Sequence, residues 1–354
     1  MNMRRVLTVF AVLLGVAPFG LAQWEQQNSG SDAQLRGLSV VSSKIAWASG
    51  TKGTVLLTVD SGKHWERIGV AGAEGLDFRD IQAFDEKNAF VLSAGPGEQS
   101  RIYRTSDRGR HWQLQFANKE PKAFYDCFAF WDKVHGIALS DSVEGKFPLL
   151  STSDGKSWSS LKPRQLPAAM PNEGAFAASG TCVATFGKND AWFVTGGPGA
   201  RVFHSSDRGK AWTAAETPLQ SGAASQGIFS VAFWSRQSGV VVGGDYKDPG
   251  NKNKNAAFTS DGGKTWELAT KGPAGYRSAV AVIPGASPVL IAVGTSGSDF
   301  SLDAGKTWEP IDSLEYNAVS FAAANAGWAV GPNGRIAHFI KVPEKLIAGP
   351  SNQQ

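Results

Sequence analysis

TSDGGKTW, residues 259–266, is one of six copies of a single motif; the others are TVDSGKHW (58–65), TSDRGRHW (105–112), TSDGKSW (152–158), SSDRGKAW (205–212) and SLDAGKTW (301–308). Every copy keeps a hydroxyl residue, an aspartate two positions on, a glycine and a tryptophan. The aspartates, Asp60, Asp107, Asp154, Asp207, Asp261 and Asp303, lie 47, 47, 53, 54 and 42 residues apart. A period of that size marks a repeat architecture with one small sheet per unit. The motif's chemistry is local. An apolar strand enters (TVLLT, RIYRT, RVFHS), the aspartate accepts hydrogen bonds from turn amides, the glycine takes a backbone conformation that a Cβ disfavours, and the tryptophan opens the return strand. The six aspartates are therefore read as structural. The third copy lacks the residue between aspartate and glycine, so its turn must be built differently.

Upstream of the motifs runs a second shared pattern, as in LRGLSVVSSKIAWASG from Leu35, FRDIQAFDEKNAFVLSAG from Phe78, FWSRQSGVVVGG from Phe233 and YNAVSFAAANAGWAVG from Tyr316. Two alternating apolar strands flank a polar turn, so each repeat supplies about four short antiparallel strands, which is one blade of a β-propeller. Six motifs give six blades. Residues 316–339 give three strands of another and then no motif tryptophan. The missing strand is found at the other end, where Trp24-Glu25-Gln26-Gln27 matches the strand openings Trp65-Glu66 and Trp266-Glu267. The fold expected is all-β: a seven-bladed β-propeller over 23–340 whose N-terminal strand closes the last blade and removes the open sheet edges. The tail, 341–354, shows no pattern and is expected to be disordered.

Composition agrees. The 354 residues include 41 glycines, about 12% against an average near 7%, together with 12 tryptophans, a mixture that suits many tight turns between packed strands. Arg4 and Arg5 belong to a leader, so 33 of the 35 basic residues face 31 acidic ones, a balance of about +2 that argues against a nucleic-acid partner. MNMRRVLTVFAVLLGVAPFGLA, residues 1–22, has the basic start, short apolar run and small-residue end of a secretory signal peptide cut after Ala22. No later segment is apolar over a bilayer's width. A periplasmic or secreted monomer is expected. The five histidines, His64, His111, His135, His204 and His338, show no metal-ligand spacing, and neither metal nor cofactor is expected. Cys127 and Cys182 fall in apolar runs, YDCFAF and GTCVATF. An oxidising compartment permits a bridge, but the runs favour two buried free thiols over one.

The motif matches the Asp-box, or BNR, pattern Ser/Thr-x-Asp-x-Gly-x-Thr-Trp. Taken with NAGWAVGPNGRIAHF (325–339), it resembles the repeat of the photosystem II stability and assembly factor family over nearly the whole chain beyond the leader. That resemblance implies a seven-bladed propeller and a non-catalytic scaffold that binds a protein or peptide client, in photosynthetic members through an arginine-rich face. Sialidases, sortilin-like receptors and some glucan hydrolases also carry the box, which speaks for fold more than for function.

Propellers line their channel with the first strand of each blade. Aligning LRGLSV, FRDIQAF, YDCFAF, IFSVAF, YRSAVAV and YNAVSF sets Arg36, Arg79, Asp126, Phe229, Arg277 and Asn317 at one level, with Tyr276 beside them; the fourth blade's run near Ser179 does not align. Three arginines would then face one funnel. Guanidinium groups bind carboxylates in a fork, which suits an acidic peptide or an acidic sugar. Asp80 stands ready to pair with Arg79 if the role is only structural. The alternative is a carbohydrate-active enzyme. A sialidase would set Arg36, Arg79 and Arg277 on a carboxylate, Tyr276 as nucleophile, Glu173 behind it and Asp126 as acid, although the Arg-Ile-Pro motif is missing and sialidases have six blades. A general glycosidase would pair Asp126 with Asp141 or Glu173.

Overall fold

The computed structural model of the chain describes residues 24–285 and 288–340; the expected leader at 1–22 and tail at 341–354 lie outside the described residues. Seven antiparallel sheets stand in a ring. Their innermost strands, blade by blade, are Leu35–Val40, Phe78–Ala83, Tyr125–Phe130, Val183–Phe186, Ala223–Phe233, Ala279–Ile283 and Ala318–Ala323. Among the described residues there is no α-helix, only a 3₁₀ turn at Gly97–Gln99, and no helix long and apolar enough to cross a membrane.

Strand position within a blade explains the sequence patterns. Second strands such as Ala46–Gly50, Ala89–Ser93 and Gly136–Ser140 are buried at every residue because neighbouring blades cover both their faces. They therefore read as unbroken runs of apolar and small residues. Outermost strands such as Glu66–Gly69 and Ser159–Leu161 face water and are polar. Trp131 at the end of blade 3's inner strand donates Nε1–H to the Asp190 carbonyl of blade 4 at 2.8 Å, which ties two blades.

The last blade is closed by the first strand. Trp24–Gln27 pairs antiparallel with Ile336–Phe339, Trp24 opposite Phe339 and Gln27 opposite Ile336. Trp24 packs 5.5 Å from Tyr316 and 5.1 Å from Phe339, and its Nε1–H reaches Ser298 Oγ at 3.0 Å. Gln27 Oε1 accepts from Trp328 Nε1 at 3.0 Å and from Trp65 Nε1 at 3.2 Å, linking blade 7 to blade 1.

The box turns repeat atom by atom. Thr58 Oγ1 donates to Asp60 Oδ1 at 2.9 Å and accepts the Gly62 amide at 2.8 Å, while Asp60 Oδ1 also accepts the His64 amide at 3.0 Å. Box 2 repeats this at Thr105, Asp107, Gly109 and His111, and box 5 at Thr259, Asp261, Gly263 and Thr265. In box 3 the hydroxyl of Thr152 takes the amide only three residues on, Gly155 at 3.0 Å, and Asp154 Oδ1 takes Lys156 and Ser157 at 2.7 and 3.0 Å. The missing residue is the one that elsewhere sits left-handed before the glycine, as do Ser61, Arg108, Arg208 and Ala304 at φ 66°, 68°, 61° and 62°.

The cysteines correct the sequence reading: Cys127 and Cys182 form a disulfide, with Cα atoms 6.1 Å apart. Cys127 pairs with Leu139 in blade 3, and the Cys182 carbonyl accepts the Val194 amide in blade 4. The two thus hold equivalent positions in adjacent blades and meet across the wedge between them. Each run by itself looks like an apolar strand, and only the radial placement brings the sulfurs together.

Candidate functional site at the channel mouth

The inner strands of blades 1, 2 and 3 begin with a register break and that of blade 5 has one midway, and the residue skipped at each break is Arg36, Arg79, Asp126 and Phe229. These four therefore do share a level at one end of the channel, as the alignment expected. What the sequence did not show is that the chain itself crosses that end. Residues 174–180, GAFAASG, leave the long loop after blade 3 and run over the mouth before entering blade 4.

Contacts of this crossing segment reach five other blades. Arg36 Nη1 of blade 1 donates to the Ala178 carbonyl at 3.4 Å, and Arg79 Nη1 of blade 2 to the Ala177 carbonyl at 3.3 Å. The Ala177 amide lies near enough to the Asp126 carboxyl of blade 3 to favour its charged form. Phe176 stacks on Phe229 of blade 5 with centroids 3.8 Å apart and planes at 8°. Ser179 Oγ donates to the Ser278 carbonyl of blade 6 at 2.8 Å. Gly180 has φ +76°, and a Cβ there would collide with the Asp80 carboxylate, so glycine alone lets the segment descend past blade 2. Beneath it the channel is a cavity of about 410 Å³, lined by inner strands of all seven blades and ended by Ser179, Gly180 and Thr181.

Electrostatics at the mouth are unusual. Arg79 Nε pairs with Asp77 Oδ2 at 2.7 Å. Asp80, offered by the sequence as that partner, instead points along the channel wall and accepts the Phe128 amide at 2.8 Å, as strand alternation requires of a neighbour of Arg79. Arg36 makes no ion pair among the described residues, and its Nε is buried without an acceptor. Burial, and after it the neighbouring Arg79, weigh against the Arg36 charge. Asp126 is 1% exposed, its Oδ2 has no hydrogen-bond partner, and burial followed by the nearby Asp141 pushes its carboxyl well above the carboxylate range. Burial likewise pushes Asp141 up to about 6, although its Oδ1 accepts the Ala175 amide at 2.8 Å.

One of the expected funnel residues is elsewhere, and another is buried at its expected level. Arg277 is 0% exposed and ion-paired with Asp299, Nε to Oδ2 at 2.5 Å, with further bonds to the Tyr276 carbonyl and Ser296 Oγ. The cause is a one-residue slip in the alignment of blade 6. The Arg277 amide bonds to the Gly243 carbonyl as Tyr316 does to Gly294 and Leu35 to Gly331, so Arg277 fills the buried slot of Leu35, and Ser278 takes the level of Arg36. Aligning Ala279-Val280 with Ala318-Val319 would have revealed it. Asn317 is at the expected level but buried, its Nδ2 bonded to the Leu35 carbonyl at 2.8 Å. Tyr276 sits near Arg36, edge-on to Phe229 at 4.7 Å, and burial raises its hydroxyl pKa. Glu173 is locked to Arg201, so neither a three-arginine carboxylate clamp nor a free Glu173 is available. Missed entirely were Asp77, Phe176 and the Ala177–Ser179 crossing; the available signal was a run of small residues ending a loop of unusual length.

No family model matches the chain. It is 28% identical over 268 residues to the photosystem II assembly protein Ycf48 of Synechococcus sp. strain JA-3-3Ab, covering 64% of this chain and 71% of that protein. It is 24% identical over 230 residues to the chloroplastic photosystem II stability/assembly factor HCF136 of Arabidopsis thaliana, covering 63% and 52% respectively. A solved structure described as YCF48 bound to D1 peptide has the same fold, with TM-score 0.61, 14% identity, and coverage of 91% of this chain and 99% of that one. The chain is thus a homologue of the photosystem II assembly factors, and its fold is theirs, a seven-bladed β-propeller.

Proposed function

We propose that this protein is a non-catalytic scaffold, working outside the cytoplasm, that captures an acidic protein or peptide segment at the channel mouth. The observation that carries the reading is Arg36. It is a largely buried guanidinium with an unfilled Nε donor, and Asp77, the carboxylate beside the two arginines, is already paired with Arg79. A buried cation without a counter-ion is costly, and a carboxylate arriving there gains a charge-assisted, two-pronged bond. The relatives support the class of partner: the curated homologues are named as assembly factors, and one structure of this fold holds a D1 peptide. The leader-like start at 1–22 and the interblade disulfide support the compartment.

A glutamate-containing peptide titrated into the protein provides the test. Reversing both charges, Arg36→Glu with Arg79→Glu, should weaken binding at least ten-fold in protein that still unfolds cooperatively, and binding of the unaltered protein should fall as salt is raised. Equal affinity for the two proteins would remove the arginine pair from the reading.

A further inference from the structure

The arginines assigned to the client are already in use, and what they hold is a peptide. Arg36 and Arg79 donate to two successive main-chain carbonyls, Ala178 and Ala177, and the Asp126 carboxyl lies by the Ala177 amide that precedes them. The side chains at these positions are single methyl groups that leave the backbone accessible. Donors and acceptor thus form a cradle that reads main chain over small residues. The sequence separations, 142 and 98 residues for the two arginine bonds, place the segment outside the sheets of the blades that hold it.

We propose that residues 174–180 are an intramolecular occupant of a peptide-binding cradle, and that the client enters by displacing them, presenting an extended run of small residues with a carboxylate beside it for Arg36. The proposal rests on the reading of the mouth as a client site and adds to it the main-chain recognition and the competition. Both ends of the occupant are fixed. Ala175 is held by Asp141 at 2.8 Å, and Cys182, two residues past Gly180, is tied to blade 3 by the disulfide. Between them the segment is kept down by the cradle, by Phe176 against Phe229 and Tyr246, by Ala178 packed with Phe229 and Tyr276, and by the Ser179 bond. An occupant tethered so closely competes at an effective concentration on the order of millimolar, so free wild-type protein should bind clients weakly.

The probe is a synthetic copy of residues 174–181, acetylated and amidated at its ends, titrated calorimetrically. Phe176→Ala with Ser179→Ala, which loosens the occupant and spares the cradle, should bind the copy at least ten-fold more tightly than wild type, and adding Arg79→Ala should abolish the gain. Equal affinity, or none, in both proteins overturns the proposal. Hydrogen exchange of unaltered protein gives a second reading independent of variant folding: the Ala177 to Ser179 amides should exchange by local opening, far faster than those of Val183–Phe186. Exchange of both only through global unfolding also overturns it. If the copy binds as expected while the glutamate peptide shows no arginine dependence, the cradle stands and the acidic-client reading falls; the reverse pattern leaves that reading intact and removes the displaceable occupant.

Discussion

Aspartates at the two ends of this propeller live under opposite rules. On the box face Asp60 and Asp107 are half-exposed, and the amide and then the ring of His64 and His111, four residues on, hold their pKa values down to about 2. At the mouth Asp126 is buried and Asp141 partly so, both are pushed up, and the amides beside them include those of Ala175 and Ala177, 34 or more residues away. The box carboxylates are satisfied by their own turn, so each blade can carry one without reference to the others. Mouth carboxylates depend on a segment threaded over five blades. The first arrangement stabilises repeated units, and the second leaves buried polar groups at the mouth without partners.

The sharpest way to break this contrast is at Arg277, a mouth residue that turned out to be internal. Arg277→Met leaves Asp299 buried and unpaired and should cost about 3–5 kcal/mol in urea unfolding at neutral pH; a cost below 1 kcal/mol would mean that the pair is not buried as described. Next in size is Asp141. Its folded pKa of about 6 lies above the unfolded value near 3.8, so its penalty is absent below pH 4, grows between pH 4 and 6 and is constant above. Asp141→Asn should therefore stabilise by up to about 3 kcal/mol at pH 8 and by nothing at pH 3.5, as melting curves at the two pH values will show. The box carboxylates carry the opposite sign: depressed pKa values mean stability present above pH 4 and lost as pH falls toward 2.

Additivity separates the faces more finely. Asp60→Ala and Asp261→Ala, in blades 1 and 5, should each cost about 1–2 kcal/mol and sum within about 0.5 kcal/mol. Arg79→Ala and Asp126→Ala, which share Ala177, should depart from additivity by more than that. The smallest expected effect is a gain. Ala304 is left-handed at φ 62° where box 5 has Gly262, so Ala304→Gly should raise stability by up to about 1 kcal/mol, visible as a small rise in denaturant midpoint.

The same contrast decides what could be read from the sequence. A box bonds within four residues of its aspartate, so its spacing announced six blades, and Trp24 announced how the seventh closes. Arg36, Arg79 and Asp126 were legible because their strands share a register break. Arg277 was misplaced because Tyr276 looked like the anchor when Ala279-Val280 was. The disulfide and the crossing at 174–180 join residues whose nearness exists only once blades stand side by side, and no local pattern encodes that.

Pairing Trp24–Gln27 with Ile336–Phe339 also sets an order of assembly. Of the described strands, the first to be synthesised finds its partner in the last. At about 5–20 residues per second it waits on the order of half a minute as a bare edge, open to pairing with any neighbour. Six blades can be complete while the ring is still open, so the molecule's exposure to misassembly is set by how long its beginning is kept from its end.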